Sequence, residues 1–178
     1  DKKFVIILAA LSAIAWLVVS IGWPVFAGRD LGSYTMYFYW LFAPETPYRL
    51  MMCYRTILSS SVLGLLFLAG RPAASIFLLV GYVSGNLAFY YLGSLFGKKT
   101  ARFFSLLMLV NFYWLIFFHE FSSDILLAIF TIFWAVYLVR VSNAFSLLQS
   151  AFFGAATFSL ALVRPIAQIF VLVFLAPV

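Results

Sequence analysis

Polar residues punctuate this chain at intervals that match the thickness of a lipid bilayer. A helix needs roughly 20 apolar residues to cross a hydrocarbon core, and the runs between polar clusters are of about that length. Phe4 to Phe26 is the first, with Trp23-Pro24 near its far end. A polar, aromatic segment from Gly28 to Arg49 follows, interrupted by Pro44 and Pro47. Leu50 to Gly70 is apolar but contains Tyr54-Arg55-Thr56 and Ser59-Ser60-Ser61. Pro72 to Phe96 reads as a strong span, closed by Gly97-Lys98-Lys99-Thr100-Ala101-Arg102. Phe103 to Phe118, Ile125 to Val139 and Phe145 to Val163 read as further spans, and Ile166 opens a last, incomplete one. The pattern predicts an all-α fold, a polytopic transmembrane helix bundle, with residues 1–178 forming a single transmembrane domain.

Composition narrows the solvent. Hydrophobic residues make up 66% of the 178 and charged ones 9%, against roughly 45–50% and 25% in soluble domains. A soluble fold of this size leaves too much surface in water to hide so many apolar side chains, so lipid is the expected partner. The 22 Phe, 10 Tyr and 5 Trp suit helices with interfacial aromatic anchors. The net charge of +6 then reads as basic loops facing anionic headgroups, not as nucleic-acid binding. The lone Cys53 leaves no disulfide within the chain, and the lone His119 no multi-histidine centre. Lys2-Lys3 is followed by an apolar run of 23 residues, too long for a signal peptide and without a small-residue cleavage site, so the first run is expected to stay as a span. The apolar ending at Pro177-Val178 reads as the interior of something longer.

Topology turns on residues 50–70. If they do not cross, Lys2, Lys3, Lys98, Lys99, Arg102 and Arg140 share one side, and Asp30, Glu45, Glu120 and Asp124 share the other. If they cross, Asp30 and Asp124 fall on opposite faces. Counting Lys and Arg alone does not decide between the two. Segregation of the acidic residues favours a non-crossing segment, with residues 27–70 as an outer loop.

Three groups could carry chemistry. Asp30, in Gly28-Arg29-Asp30-Leu31-Gly32-Ser33-Tyr34, lies just beyond the first span. There it can cap a helix whose face is Tyr34, Tyr37 and Phe38, ionise beside a membrane pocket, or do both. His119-Glu120-Phe121-Ser122-Ser123-Asp124 gathers a histidine and two carboxylates in a short turn. Carboxylate with imidazole suits Mn or Zn, so a divalent metal on Asp30, Asp124, His119 or Glu120 stays open, and so does a loop that merely needs polar residues. Arg49, Arg55 and Arg164 could hold phosphate oxygens in paired hydrogen bonds or simply snorkel to the interface. Neither a Gly-rich phosphate loop nor an HExxH motif is present.

The order of these features resembles a known family. A first span, an Arg29-Asp30 pair just outside it, Tyr34 at i+4 and then Tyr54-Arg55-Thr56 look like the polyprenyl-phosphate-dependent glycosyltransferases of the GT-C fold. Within them the chain is most similar to the protein-mannosyltransferase and aminoarabinose-transferase branch. Leu95-Phe96-Gly97-Lys98-Lys99 resembles that branch's Leu-Phe-Gly-basic turn, and Ser122-Ser123-Asp124-Ile125 its second acidic position. Leu162-Val163-Arg164-Pro165 resembles its Leu-Thr-basic-Pro stretch. Family members are considerably longer, and the proline often found after their Arg-Thr is missing here.

The resemblance implies an integral, multi-pass membrane enzyme that takes a sugar from a polyprenyl-phosphate donor at the non-cytoplasmic face. It implies Asp30 as general base or acceptor-positioning group, Asp124 as the second acid and Arg164 near the donor phosphate. Arg29, Tyr34, Arg49, Arg55, His119 and Glu120 are the accompanying candidates for substrate binding. It also implies juxtamembrane helices in the 27–70 loop, and a lipid, glycan or protein as acceptor. The expected partners are therefore the bilayer and the lipid-linked donor. The rival readings are a non-catalytic multi-span subunit or scaffold and a small transporter; charges at span ends and the lack of internal repeats count against transport.

Overall fold

The computed structural model describes residues 2–28, 30–42, 56–141 and 146–164. Eight helices are found among them: α1 (Lys2–Gly22), α2 (Leu31–Phe42), α3 (Ile57–Leu68), α4 (Arg71–Ser94), α5 (Lys98–Val110), α6 (Phe112–Phe117), α7 (Ser123–Val141) and α8 (Leu147–Val163). Two-residue strands β1 (Phe26–Ala27) and β2 (Glu120–Phe121) pair in parallel, with Phe26 opposite Glu120 and Ala27 opposite Phe121. The expected helical architecture is present, and α1, α4 and α7 are long and apolar enough to cross a membrane. At 12 residues each, α2 and α3 are about 18 Å long, well short of a hydrocarbon core of roughly 30 Å.

One expected span is not a single helix. The run from Phe103 to Phe118 breaks at Asn111, whose backbone leaves the helical region at φ −74°, ψ 103°. Its side-chain carbonyl accepts from the Trp114 amide at 3.1 Å and so caps α6. A short amide side chain that competes for backbone partners favours a helix start over a helix interior. Hydropathy reads through a lone Asn; hydrogen bonding does not.

The chain divides into two compact units, each built from two separate stretches of sequence: residues 1–27 with 71–121, and residues 28–70 with 122–178. In the first unit α1 turns one narrow stripe inward, Leu8, Ser12 and Trp16, spaced by four as neighbours on a helix face must be. Many of its other apolar side chains, such as Ile6, Ile14 and Ile21, stay exposed. Helices α4 and α5 approach so closely that a Cβ on Gly93 would stand 2.8 Å from the Cα of Ala101, the small-residue contact common between membrane helices. Gly97, at φ +113°, makes the turn between them in a conformation that favours glycine. A polar cluster ties three helices together: the Asn86 amide donates to Ser12 at 3.0 Å and its carbonyl accepts from the Trp114 indole at 3.1 Å.

Contacts at the two ends of this unit fix the direction of its helices. The ring of Phe4 lies 5.4 Å from that of Tyr90, and Arg102 stands 5.4 Å over the same Phe4 ring. Lys2 and Lys3 therefore share an end with Lys98, Lys99 and Arg102. At the other end Arg71 donates to the carbonyl of Val25 at 3.1 Å, beside the β1–β2 pair. Helix α4 thus runs antiparallel to α1, while α5 with α6 returns parallel to it.

In the second unit α7 and α8 form an antiparallel pair. The Trp134 indole donates to Thr157 at 2.8 Å and the Tyr137 hydroxyl to the carbonyl of Gln149 at 3.3 Å. Ser146 and Gln149 complete a capping box at the start of α8, which satisfies two of its orphan amides. Helix α2 buries Leu31, Tyr34, Thr35 and Phe38 on one face. The ring of Phe38 occupies the space that any side chain at Gly64 of α3 would need.

Candidate functional site

Asp30 immediately precedes α2, and its carbonyl accepts from the amides of Ser33 at 3.1 Å and Tyr34 at 3.3 Å. The Ser33 hydroxyl adds a third bond to that carbonyl at 2.8 Å. The residue thus caps α2 through its backbone carbonyl and is half-buried; a carboxylate at such a position is favoured by the positive end of a helix dipole. Tyr34, a candidate for substrate binding, is 2% exposed in the packed interior of its unit. It sits four residues after Asp30, on the face that carries Leu31 and Phe38, so packing claims its ring.

Asp124 occupies the first turn of α7, and Arg164 ends α8 in an extended conformation. Antiparallel pairing of these helices brings them to the same end, where Arg164 forms an ion pair with Asp124. Their side chains keep 30% and 43% of their accessible surface, so a substrate group can reach both. Thr56, extended just before α3, and Ser59 in its first turn hold the end of α8: Thr56 donates to the carbonyl of Val163 at 2.7 Å, and Ser59 donates to the same oxygen. A last-turn carbonyl has no partner within its own helix, so these bonds anchor the residue before Arg164. Sequence reasoning singled out neither hydroxyl for this role. The signal was present as a polar interruption of an apolar run, at position 56 just before the helix and at position 59 in its first turn. Beside Asp124, the buried hydroxyls of Ser122 and Ser123 have no hydrogen-bond partner among the described residues.

His119 and Glu120 belong to the other unit. The imidazole is fully buried and stacks on Trp16 with ring centres 4.7 Å apart. Its Nδ1 lies 2.9 Å from the carbonyl of Leu115 and its Nε2 3.0 Å from the Ser20 hydroxyl. Both ring nitrogens are therefore engaged in holding α6 to α1. Glu120 is the residue of β2 opposite Phe26. With His119 enclosed and Asp124 given to Arg164, the donor set does not fit a divalent ion, and no group of three His, Cys, Asp or Glu side chains gathers among the described residues. Arg29, Arg49 and Arg55 lie outside the described residues.

The strand register relates the two aspartates. Ala27 and Phe121 are directly paired, and Asp30 and Asp124 each follow three residues later. Paired strands lie about 4.8 Å apart and three residues reach about 11 Å at most, which keeps their Cα atoms within about 26 Å. Residues 94 apart in sequence each hang on a short tether from the strand pair, a limit still well above the roughly 5–10 Å at which paired carboxyls share one bond.

No family model, curated protein or solved structure matches this chain.

Proposed function

We propose that this chain is a multi-pass membrane glycosyltransferase module of the GT-C type. It transfers a sugar from a polyprenyl-phosphate-linked donor to a lipid, glycan or protein acceptor at the non-cytoplasmic face. The observation that carries the reading is the Ala27–Phe121 pairing, which tethers Asp30 and Asp124 to a common origin, with Arg164 already bound to Asp124. Helix lengths support it as well. If α1 and α4 cross, the Arg71–Val25 contact starts and finishes residues 28–70 on one side, and α2 and α3 are too short to cross alone. The basic end of the first unit, with Lys2, Lys3, Lys98, Lys99 and Arg102, suits the cytoplasm by the positive-inside preference. In this reading β1, β2 and the two aspartates lie on the outer side.

In this reading the acceptor hydroxyl attacks the anomeric carbon as the bond from that carbon to the carrier phosphate breaks. Asp30 takes the hydroxyl proton and later releases it to water. The departing polyprenyl phosphate meets the Arg164 guanidinium, whose five donors allow it to hold a phosphate oxygen while Asp124 keeps its orientation. Asp124 then acts as a positioning residue through Arg164.

Asp30→Asn tests the assignment. Asn caps a helix about as well as Asp but cannot accept the proton. Transfer from a polyprenyl-phosphate donor, assayed in membranes, is expected to fall at least 100-fold with expression and thermal stability unchanged. Near-normal turnover would remove Asp30 from the mechanism.

A further inference from the structure

Away from the Asp124–Arg164 end, a groove of about 550 Å³ runs along the α7–α8 pair, within the range of ligand pockets. Its walls are apolar and aromatic, among them Ile129, Phe133, Trp134, Tyr137 and Ala156, and Arg140 stands at one end. Arg140 lies in the last turn of α7 and is exposed. From there to Ile129 is eleven residues, about 16 Å of helix, which is half of a hydrocarbon core of roughly 30 Å. The groove therefore has the depth of one leaflet, with a fixed positive charge at headgroup level and hydrocarbon-compatible walls below.

We propose that this groove binds an anionic phospholipid, its phosphate on Arg140 and one acyl chain along Tyr137, Phe133 and Ile129. Charge complementarity selects the headgroup. A guanidinium carries five donors in a planar fork that matches phosphate geometry. A neutral or zwitterionic lipid would fill the walls equally well and gain less at the mouth. Trp134 and Tyr137 of the wall each stack on Phe153 of α8, which holds these two rings in place and reduces the ordering that binding must impose. The inference rests on the membrane placement above and not on sugar transfer.

Native mass spectrometry of the full chain tests it, after exchange into mixed micelles of equimolar phosphatidylglycerol and phosphatidylcholine. Wild type is expected to retain the anionic lipid about fivefold over the zwitterionic one, the effect of one basic side chain at an anionic surface. Arg140→Gln should bring the ratio to parity, Arg140→Lys should keep most of the preference, and Ala156→Phe, which fills the groove, should lower retention of both lipids. Parity in wild type, or an undiminished preference in Arg140→Gln, overturns the proposal. Displacement of the bound lipid by equimolar polyprenyl phosphate would give the groove to the carrier, and also overturns it. So would a disulfide between two copies at Phe133→Cys in a Cys53→Ser background. Failure of the chain to stay in carbonate-washed membranes would instead defeat the membrane placement, a result separable from loss of lipid preference.

Discussion

At the scale of single residues, the two aspartates do different physical work. Asp30 is a residue whose backbone carbonyl caps the start of α2, whereas Asp124 is committed to Arg164. A partly exposed ion pair is worth about 1 kcal/mol or less, so Asp124→Asn is expected to shift the melting temperature by only a few degrees. Its effect on transfer should be larger and of a different kind from that of Asp30→Asn. With Arg164 no longer held, the KM for the lipid-linked donor should rise about tenfold while kcat falls less; steady-state kinetics in detergent would separate the two. A fall in kcat with unchanged KM would make Asp124 a second chemical group. His119 belongs to neither description, because Leu115, Ser20 and Trp16 take up its ring.

At the scale of elements, the short helix α3 matters more than its length indicates. Thr56 and Ser59 both donate to the carbonyl of Val163, so α3 sets where α8 ends and where Arg164 begins. Replacing both, as Thr56→Val with Ser59→Ala, removes two hydrogen bonds and leaves a buried carbonyl without them. A loss of roughly 1–3 kcal/mol is expected, read as a lower thermal midpoint and as faster hydrogen exchange confined to the last turn of α8. Exchange spread evenly over the chain would refute the anchoring role. Asn111 acts at the same scale, dividing an apolar run into α5 and α6 through one side-chain bond.

At the scale of the molecule, the ends of the first unit make a topological statement. Ala27 and Pro72 belong to the end that holds the Arg71–Val25 contact, and Lys98 to the end marked by Phe4 and Arg102. Single cysteines at these positions, in a Cys53→Ser background, should behave accordingly in sealed vesicles. Ala27→Cys and Pro72→Cys are expected to react with an impermeant maleimide from the same side, and Lys98→Cys only after permeabilisation. Labelling of Ala27→Cys and Pro72→Cys from opposite faces would require residues 28–70 to cross, and would separate Asp30 from Asp124.

Much of this architecture was legible from hydropathy, because lipid-compatible helices are long apolar runs ended by charge. Helices α1, α4, α7 and α8 lie close to where the polar punctuation put them. Asp30 was legible as a possible cap, one of the roles that its place before an aromatic helical face offered. The pairing of Asp124 with Arg164, the enclosure of His119 and the break at Asn111 were not legible. Each depends on which partner a polar group finds across space, and a polar group in an apolar setting must find one. The parallel register of Ala27 with Phe121 is of the same kind. Two residues so short of local signal pair because the helices before them end together, and only the packed structure decides that they do.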